Sequence, residues 1–370
     1  MWRFLRQSTW ANAALAIVST AVTLMGLEVV LRTRPALLGR DFANGALSKY
    51  TVRDGGIYYF DRNLRMEFMI PNFKTRMYYN GYVWTHETDA FGFRNRKVTV
   101  PADIVLLGDS MIYGHGLEYE STVGYLLERL TGLSVANLAR QGDCAFQEAY
   151  LLTEYVSLFR PRYVLYFFNQ NDIADVRQRL TTEEMQAFIN TPVDRIQYPT
   201  RVEPAQALRE RDEQIHDQTF IERIERSSYV FKAYRWIKWR LGVSEAFAQC
   251  RGAPDHEPEP DNDEQSLAWR YTKKAIAYMQ YVAARHNAQF VIVPITPWNQ
   301  HHYEILRAVA TEYGLPFLDT SSLTTGDASP WLPHDGHLSP AGARKLAEIV
   351  AVFLSQRPER GQAAPPPPAG

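Results

Sequence analysis

The sequence predicts an α/β fold in which a parallel sheet is covered by helices on both faces. Short apolar runs, typical of buried parallel strands, alternate with helix-like segments along most of the 370 residues. The chain is 46% hydrophobic and 22% charged, which is enough apolar material for a sizeable core. Two cysteines exclude a disulfide scaffold and a multi-cysteine zinc domain.

The first segment of the chain predicts a membrane anchor. Trp10 to Leu31 is apolar with Glu28 at its far edge, and about 20 apolar residues suffice to cross a bilayer as a helix. A cleaved signal peptide and a buried core helix are the alternatives. The apolar stretch is longer than a usual signal-peptide core, and no convincing cleavage site follows it. We therefore expect a spanning helix within residues 1–35, with an exported body; whether the anchor is cleaved stays open.

The predicted strands and helices follow an aromatic-rich lead-in, residues 36–100. The strands are the apolar runs Ile104–Leu107, Val135–Leu138, Tyr163–Phe168, Phe290–Pro294 and Pro316–Leu318. The main helices are predicted near 123–130, 144–159, 267–286, 303–313 and 340–354. Ser339 as N-cap and Pro340 at the first helical position mark the start of the last helix. We expect five parallel strands in one domain, residues 101–357.

A charged insertion, residues 175–266, interrupts this alternation. Its middle, residues 227–242, predicts a helix whose apolar face carries Val230, Tyr234, Ile237 and Leu241. This helix either packs on the main domain or lies on the bilayer near the anchor, because Trp, Lys and Arg side chains suit both positions. The proline-rich end, residues 358–370, predicts a disordered tail.

Candidate catalytic groups follow the carboxyl ends of the predicted strands, the edge where ligands bind in open parallel sheets. They are Ser110 after the first strand, Gly142 after the second, Asn169 and Asn171 after the third, and Asp335 and His337 before the last helix. A hydroxyl, a base with an orienting carboxylate, and amide donors for an oxyanion are what nucleophilic acyl transfer needs.

Four of these segments together resemble the sequence blocks of the SGNH (GDSL-type) hydrolases. They are LLGDSMIYGHGL (106–117), NLARQG (137–142), FFNQNDIAD (167–175) and HDGHLSPAGARKLAE (334–348). The resemblance implies a flavodoxin-like three-layer α/β/α sandwich. It also implies that Ser110 is the nucleophile and His337 the base. The implied oxyanion hole combines the backbone amides of Ser110 and Gly142 with the side chain of Asn171, which matches the third block better than Asn169.

The last block departs from the usual family pattern. That pattern has Asp three residues before His, where this chain has His334. Asp335, two residues before His337, is therefore the expected orienting acid, a spacing also associated with membrane-linked polysaccharide acetyltransferases of the superfamily. TDAFGFRNR (88–96) resembles a segment that precedes the catalytic domain in membrane-anchored bacterial members.

The resemblance implies a serine esterase that hydrolyses an acyl ester, in the first place an O-acetyl ester, on an envelope or extracellular glycan. An O-acetyltransferase and a catalytically silent binding or scaffold subunit of an envelope assembly are the alternatives. The expected location is a bacterial inner membrane, with the catalytic domain in the periplasm or outside the cell. The expected partners are an acylated carbohydrate or small ester, the membrane, and the envelope polysaccharide machinery.

Other functions find little support in the sequence. Forty Lys and Arg against 41 Asp and Glu argue against nucleic-acid binding. Ile112 replaces the second glycine of GxSxG, and no phosphate-binding loop appears. We expect no metal and no cofactor. Cys144 and Cys250 either form a disulfide that pins the insertion or remain two free thiols.

Overall fold

The computed structural model describes residues 2–50, 56–242, 264–295, 299–325 and 328–357. Its strands are β1 (Tyr58–Asp61), β2 (Met66–Met69), β3 (Lys74–Tyr79), β4 (Tyr82–Glu87), β5 (Ile104–Leu107), β6 (Val135–Asn137), β7 (Tyr163–Asn169) and β8 (Gln289–Ile295). Its helices are α1 (Trp2–Thr33), α2 (Arg40–Leu47), α3 (Ser110–Tyr113), α4 (Val123–Thr131), α5 (Ala145–Phe159), α6 (Asp172–Arg179), α7 (Thr182–Asn190), α8 (Pro204–His216), α9 (Phe220–Ser227), α10 (Tyr229–Arg240), α11 (Leu267–Arg285), α12 (Gln300–Glu312) and α13 (Pro340–Ser355).

The central sheet is parallel, in the order β6-β5-β7-β8. Every residue of β5, β6 and β7 is buried, as expected for strands covered on both faces, which read as apolar runs. Right-handed crossovers place α4 and α5 on opposite faces, because β6 and β7 lie on opposite sides of β5. α4 packs against α13, and α5 packs against α11. The predicted α/β class is confirmed.

The sheet differs from the prediction at its edge, where four strands form instead of five. The predicted strand Pro316–Leu318 contributes one isolated parallel bridge, between Phe317 and Ile292 of β8. The Ile292 N–H donates to the Pro316 carbonyl, and the Leu318 N–H donates to the Ile292 carbonyl. Pro316 has no N–H to extend the ladder, and Asp319 then accepts from the Ser321 N–H and turns the chain away.

The described residues divide into two compact units. One takes in residues within Met1–Gly56, Tyr78–Gly81 and Arg209–Ala253, and the other takes in the rest, including the parallel sheet. The sequence-based division of the chain, with residues 36–100 as a lead-in, stays a prediction. In the sheet-containing unit, β1 pairs with β2 in antiparallel fashion. β3 and β4 form a separate two-stranded sheet.

The N-terminal unit contains one helix that is long and apolar enough to cross a membrane. Within Trp10–Thr33 of α1, an 18-residue window has a mean hydropathy of 2.1 and is 6% buried, which disagrees with the alternative of a buried core helix. A signal sequence meets the same criterion. Beside it, Leu31, Phe42, Ala46 and Ala233 form a small core.

The helix predicted in the insertion is α10, but the face that it buries differs from the predicted one. Ala233 belongs to the small core of the N-terminal unit, and partly buried Tyr229, Val230 and Trp236 pack against that core. Of the predicted apolar face, Val230 therefore packs as expected, whereas Tyr234, Ile237 and Leu241 are exposed. The reason lies in the helix geometry, because residues 229, 233 and 236 follow a stripe beside that face.

Candidate active site

Ser110, His337 and Asp335 form a hydrogen-bonded relay. The Ser110 Oγ lies 2.8 Å from Nε2 of His337, and Nδ1 of His337 contacts Oδ1 of Asp335. The Asp335 side chain is fully buried, whereas that of His337 is 20% exposed. With a carboxylate beside Nδ1, the proton of a neutral imidazole sits on Nδ1, and the Nε2 lone pair faces the serine hydroxyl. The relay can therefore accept the serine proton.

A tight turn brings Asp335 and His337 face to face. Gly336 lies between them at φ +79°, a conformation that favours glycine. The Leu332 N–H donates to the His337 carbonyl at 2.7 Å and closes the turn. His334, where the family pattern has its acid, is exposed at φ +63°. The structure thus brings Asp335, two residues before His337, to the imidazole.

Ser110 is presented by the first turn of α3, directly after β5. Asp109 caps this helix by accepting from the Met111 N–H at 2.9 Å. The side-chain amide of Asn169, at the end of β7, donates to Asp109 at 3.0 Å. β5 and β7 adjoin where the strand order reverses, which is where open α/β sheets bind ligands. Asn169 therefore braces the serine turn, and its amide is directed at Asp109.

The residues predicted to hold an oxyanion each follow one of the strands β5, β6 and β7 at this edge of the sheet. The Ser110 N–H is at the first position of α3, where helix N–H groups lack an acceptor within the helix. Gly142 adopts φ +73°, and its carbonyl accepts from Arg179 at 2.7 Å. Asn171 donates through Nδ2 to Asp175 at 2.8 Å. Because an amide NH₂ has two donors, this bond orients Asn171 and leaves the second N–H for a ligand.

His115 is a site residue that sequence reasoning missed. Its ring stacks on that of His337, with centroids 4.0 Å apart and 17° between the planes. Its Nδ1 contacts the side-chain oxygen of Gln141 at 2.7 Å, which ties the loop of Gly142 to the relay. Burial, together with the charge of a protonated His337, lowers the pKa of His115 to about 3. The His115 ring is therefore neutral and buried, and it packs against the ring of the base, His337.

Arg94 supports the serine turn from behind and was also missed, although its segment 88–96 was singled out. Its guanidinium donates to the carbonyls of Tyr113, Gly114, Thr85 and Leu117. Gly92 lets this segment approach, because a Cβ there would lie 2.4 Å from the Met69 carbonyl oxygen. Arg94 is 2% exposed, so it satisfies the buried carbonyls at the end of α3.

Two carboxyl groups near the site are buried. Glu148 on α5 and Asp172 at the start of α6 are both fully buried. Burial, reinforced by neighbouring acidic groups, raises the pKa of each well above its usual range. Asp172 also accepts from the Asn169 N–H at 3.1 Å. The raised pKa of each group disfavours negative charge at these two positions.

One group of described residues has the composition of a metal site. The donor atoms of His115, Asp335 and His337 lie within 4.8 Å of one another. However, the two imidazole rings are nearly parallel, so their in-plane lone pairs do not converge on one point. Both nitrogens of His337 also already have partners. The arrangement suits proton transfer better than metal binding.

Cys144 is a buried, free thiol, and burial raises its pKa well above the usual range. Its Sγ donates to the side-chain oxygen of Gln147. The predicted alternative of a disulfide with Cys250 involves a residue that lies outside the described part of the chain.

Comparisons with known proteins give only a distant likeness. No family model and no curated protein matches the sequence. Among solved structures, a putative lipolytic protein of the G-D-S-L family from Desulfitobacterium hafniense is 12% identical, with a TM-score of 0.35, over 67% of this chain and 97% of that one. A GDSL-like lipase from Bacteroides thetaiotaomicron is 12% identical, with a TM-score of 0.35, over 68% of this chain and 87% of that one. A family 3 carbohydrate esterase from Clostridium thermocellum is 13% identical, with a TM-score of 0.35, over 68% of this chain and 98% of that one. Because these TM-scores are below 0.5, the chemistry of the site stands on its own residues.

Proposed function

We propose that this protein is a serine ester hydrolase of the SGNH type. The observation that carries the proposal is the relay of Ser110, His337 and Asp335 at the carboxyl edge of the parallel sheet. A serine hydroxyl hydrogen-bonded to an imidazole, itself held by a buried carboxylate, is the arrangement that activates serine as a nucleophile.

The reaction proceeds in two halves. Ser110 Oγ attacks the acyl carbonyl while its proton passes to Nε2 of His337. The oxyanion is held by the Ser110 and Gly142 amides and by Asn171. His337 then protonates the leaving alcohol, which departs as the C–O bond breaks, and an acyl-serine remains. Water, deprotonated by His337, then attacks the acyl carbonyl. The bond between the acyl carbon and Ser110 Oγ breaks, the acid leaves, and His337 returns the proton to Ser110 Oγ.

The proposed substrate is an O-acetyl ester on an envelope or extracellular glycan. Tyr82 lies beside the loop of the relay, because its hydroxyl donates to the Pro333 carbonyl at 2.8 Å. Its partly exposed ring has the flat apolar surface on which sugar rings pack. We further propose that α1 anchors the chain in a bacterial inner membrane as a single span, with the catalytic unit in the periplasm or outside the cell. An O-acetyltransferase uses the same acyl-serine with a sugar hydroxyl in place of water.

The decisive experiment combines trapping with turnover. Incubation with p-nitrophenyl acetate, quenching in acid and peptide mass spectrometry should show an acetyl group on Ser110. The Ser110→Ala variant should show neither the adduct nor turnover. Turnover that persists in Ser110→Ala would overturn the proposal. Acetylated oligosaccharides, assayed with and without an acceptor glycan, separate released acetate from transferred acetate.

A further inference from the structure

Glu28, near the end of the apolar helix α1, binds the start of α10. Its Oε1 accepts from the Tyr229 N–H at 3.0 Å. Its Oε2 accepts from the Val230 N–H at 2.9 Å and from the Ser228 hydroxyl at 3.0 Å. First-turn N–H groups have no acceptor within their own helix, and a carboxylate there also faces the positive end of the helix dipole. Glu28 therefore fixes the N terminus of α10 to α1.

Arg32, one turn further along α1, binds the end of α9. Its Nε donates to Glu28 at 2.7 Å, and its guanidinium also donates to the carbonyl of Ser227, the last residue of α9. A cation at a helix C terminus is favourable for the same electrostatic reason. Two adjacent turns of α1 thus hold the junction between α9 and α10.

This junction lies at a defined depth if α1 spans a bilayer. A helix rises about 1.5 Å per residue, so the roughly 20 residues that cross a core of about 30 Å end beside Glu28 when counted from Trp10. A carboxylate at that boundary is costly unless it is bonded, and Glu28 has four hydrogen-bond donors. The start of α10 then lies at the boundary between hydrocarbon and headgroups.

Both helices expose large apolar side chains beside many cationic ones. On α9, Phe220 is 76% and Ile221 is 64% exposed; Ile237 on α10 is 46% exposed, and Leu241, directly after α10, is 72% exposed. Residues 219–242 contain six Lys or Arg and two Asp or Glu, a net charge of +4. Exposed apolar residues with a cationic surround are characteristic of helices that lie in the interface of an anionic bilayer.

We propose that α9 and α10 lie in the headgroup region of an anionic bilayer, held there by Glu28 at the end of membrane-spanning α1. The apolar side chains of Phe220, Ile221, Ile237 and Leu241 enter the lipid, and the basic side chains contact lipid phosphates. This inference rests on the proposed membrane anchor, which the experiment below tests separately.

The test uses the full-length protein in nanodiscs of phosphatidylcholine with phosphatidylglycerol. Nitroxide labels are placed singly at Ile221→Cys, Ile237→Cys, Val18→Cys in the middle of α1, and Val352→Cys on α13. Val352 is the matched control, because it is apolar and 57% exposed in the catalytic unit. Only Cys250 needs replacement by serine, because Cys144 is fully buried. Power saturation then compares collisions with oxygen, which partitions into lipid, and with a water-soluble nickel chelate.

We expect the ratio of oxygen to nickel accessibility at positions 221 and 237 to be several-fold above that at 352 and below that at 18. If position 18 resembles 352, the anchor itself is wrong. If position 18 is in lipid while 221 and 237 resemble 352, the anchor stands and the interfacial inference fails. Labels at 221 and 237 that are shielded from both reagents would indicate a protein partner or a second copy, and would also overturn it.

A second variant tests the role assigned to Glu28. Glu28→Gln keeps the size of the side chain but removes its charge and one of its two acceptor oxygens. We expect the label at 237 to become more mobile and several-fold more accessible to nickel, with the label at 18 unchanged. Glu213→Gln, the same change at an exposed position of α8, is the control. An unchanged label at 237 in Glu28→Gln would show that Glu28 does not hold α10.

Discussion

Replacement of Asp335 by asparagine tests the least usual feature of the site, an orienting acid two residues before the base. Asparagine fits the same buried space but carries no charge, so it cannot stabilise the imidazolium that forms as His337 takes the serine proton. Two unit charges about 4 Å apart, at an effective dielectric constant of about 20, interact by about 4 kcal/mol, which is about 10³ in rate. An asparagine amide can also donate to Nδ1 and enforce the wrong tautomer, which in such triads brings the loss to about 10⁴.

The assay is single-turnover acetylation by p-nitrophenyl acetate, followed through the released nitrophenolate, with Ser110→Ala as the baseline. Asp335→Asn should acetylate Ser110 about 10³- to 10⁴-fold more slowly than the wild type, with an unchanged urea midpoint. The control is His334→Asn, because this position is exposed and asparagine tolerates its positive φ. An Asp335→Asn enzyme within tenfold of the wild type, beside an inactive His334→Asn, would refute the assignment.

Three further predictions concern the surroundings of the relay. Asn171→Ala should lower turnover by about 10²–10³ with little loss of stability. Asn169→Ala should mainly lower the urea midpoint, because it removes the hydrogen bond to buried Asp109. Equal effects of the two substitutions on turnover and stability would contradict these roles. Unfolding should become easier as pH falls from 6.5 towards 3, because the unfolded state protonates His115 while the folded state, whose pKa is about 3, does not. Urea midpoints at pH 7 and pH 4 should therefore differ less for His115→Phe than for the wild type, and an equal difference would count against the buried neutral form. The folded protein raises the pKa of Glu148, so the contribution of this group to stability is full below about pH 4.3 and is lost as pH rises. Glu148→Gln should therefore be increasingly more stable than the wild type between pH 5 and pH 9 (roughly the range above the unfolded pKa). Parallel curves of urea midpoint against pH for the two proteins would exclude this.

The positions of the main elements could be predicted from the sequence because buried parallel strands are apolar throughout. The strands β5, β7 and β8 begin and end within two residues of the predicted bounds. The fifth strand was wrong because an apolar run of three residues does not reveal whether its partner strand continues beside it. Pro316 and Asp319 end that pairing after one bridge.

The placement of Ser110, Asn171 and His337 at one edge also followed from topology, because each follows a strand or precedes the last helix. The contact of Asp175 with Asn171 could in principle be predicted from the sequence, since the two lie four residues apart at helical spacing. The roles of His115 and Arg94 could not. Their roles depend on long-range contacts, with the His337 ring and with four carbonyls, and the local pattern carries no trace of such contacts.

The position of Arg94 limits how this chain can exchange segments with other proteins during evolution. Its guanidinium donates to carbonyls of the turn that carries Ser110, yet Arg94 precedes β5, the first strand of the parallel sheet. A recombination event that joined a new N-terminal segment at Pro101 would remove Arg94 but keep the Tyr113, Gly114 and Leu117 carbonyls to which it donates, and unpaired buried carbonyls are costly. The piece that can be inherited intact therefore begins upstream of residue 88, so the N-terminal helix can be exchanged between proteins only through a junction that lies before this segment.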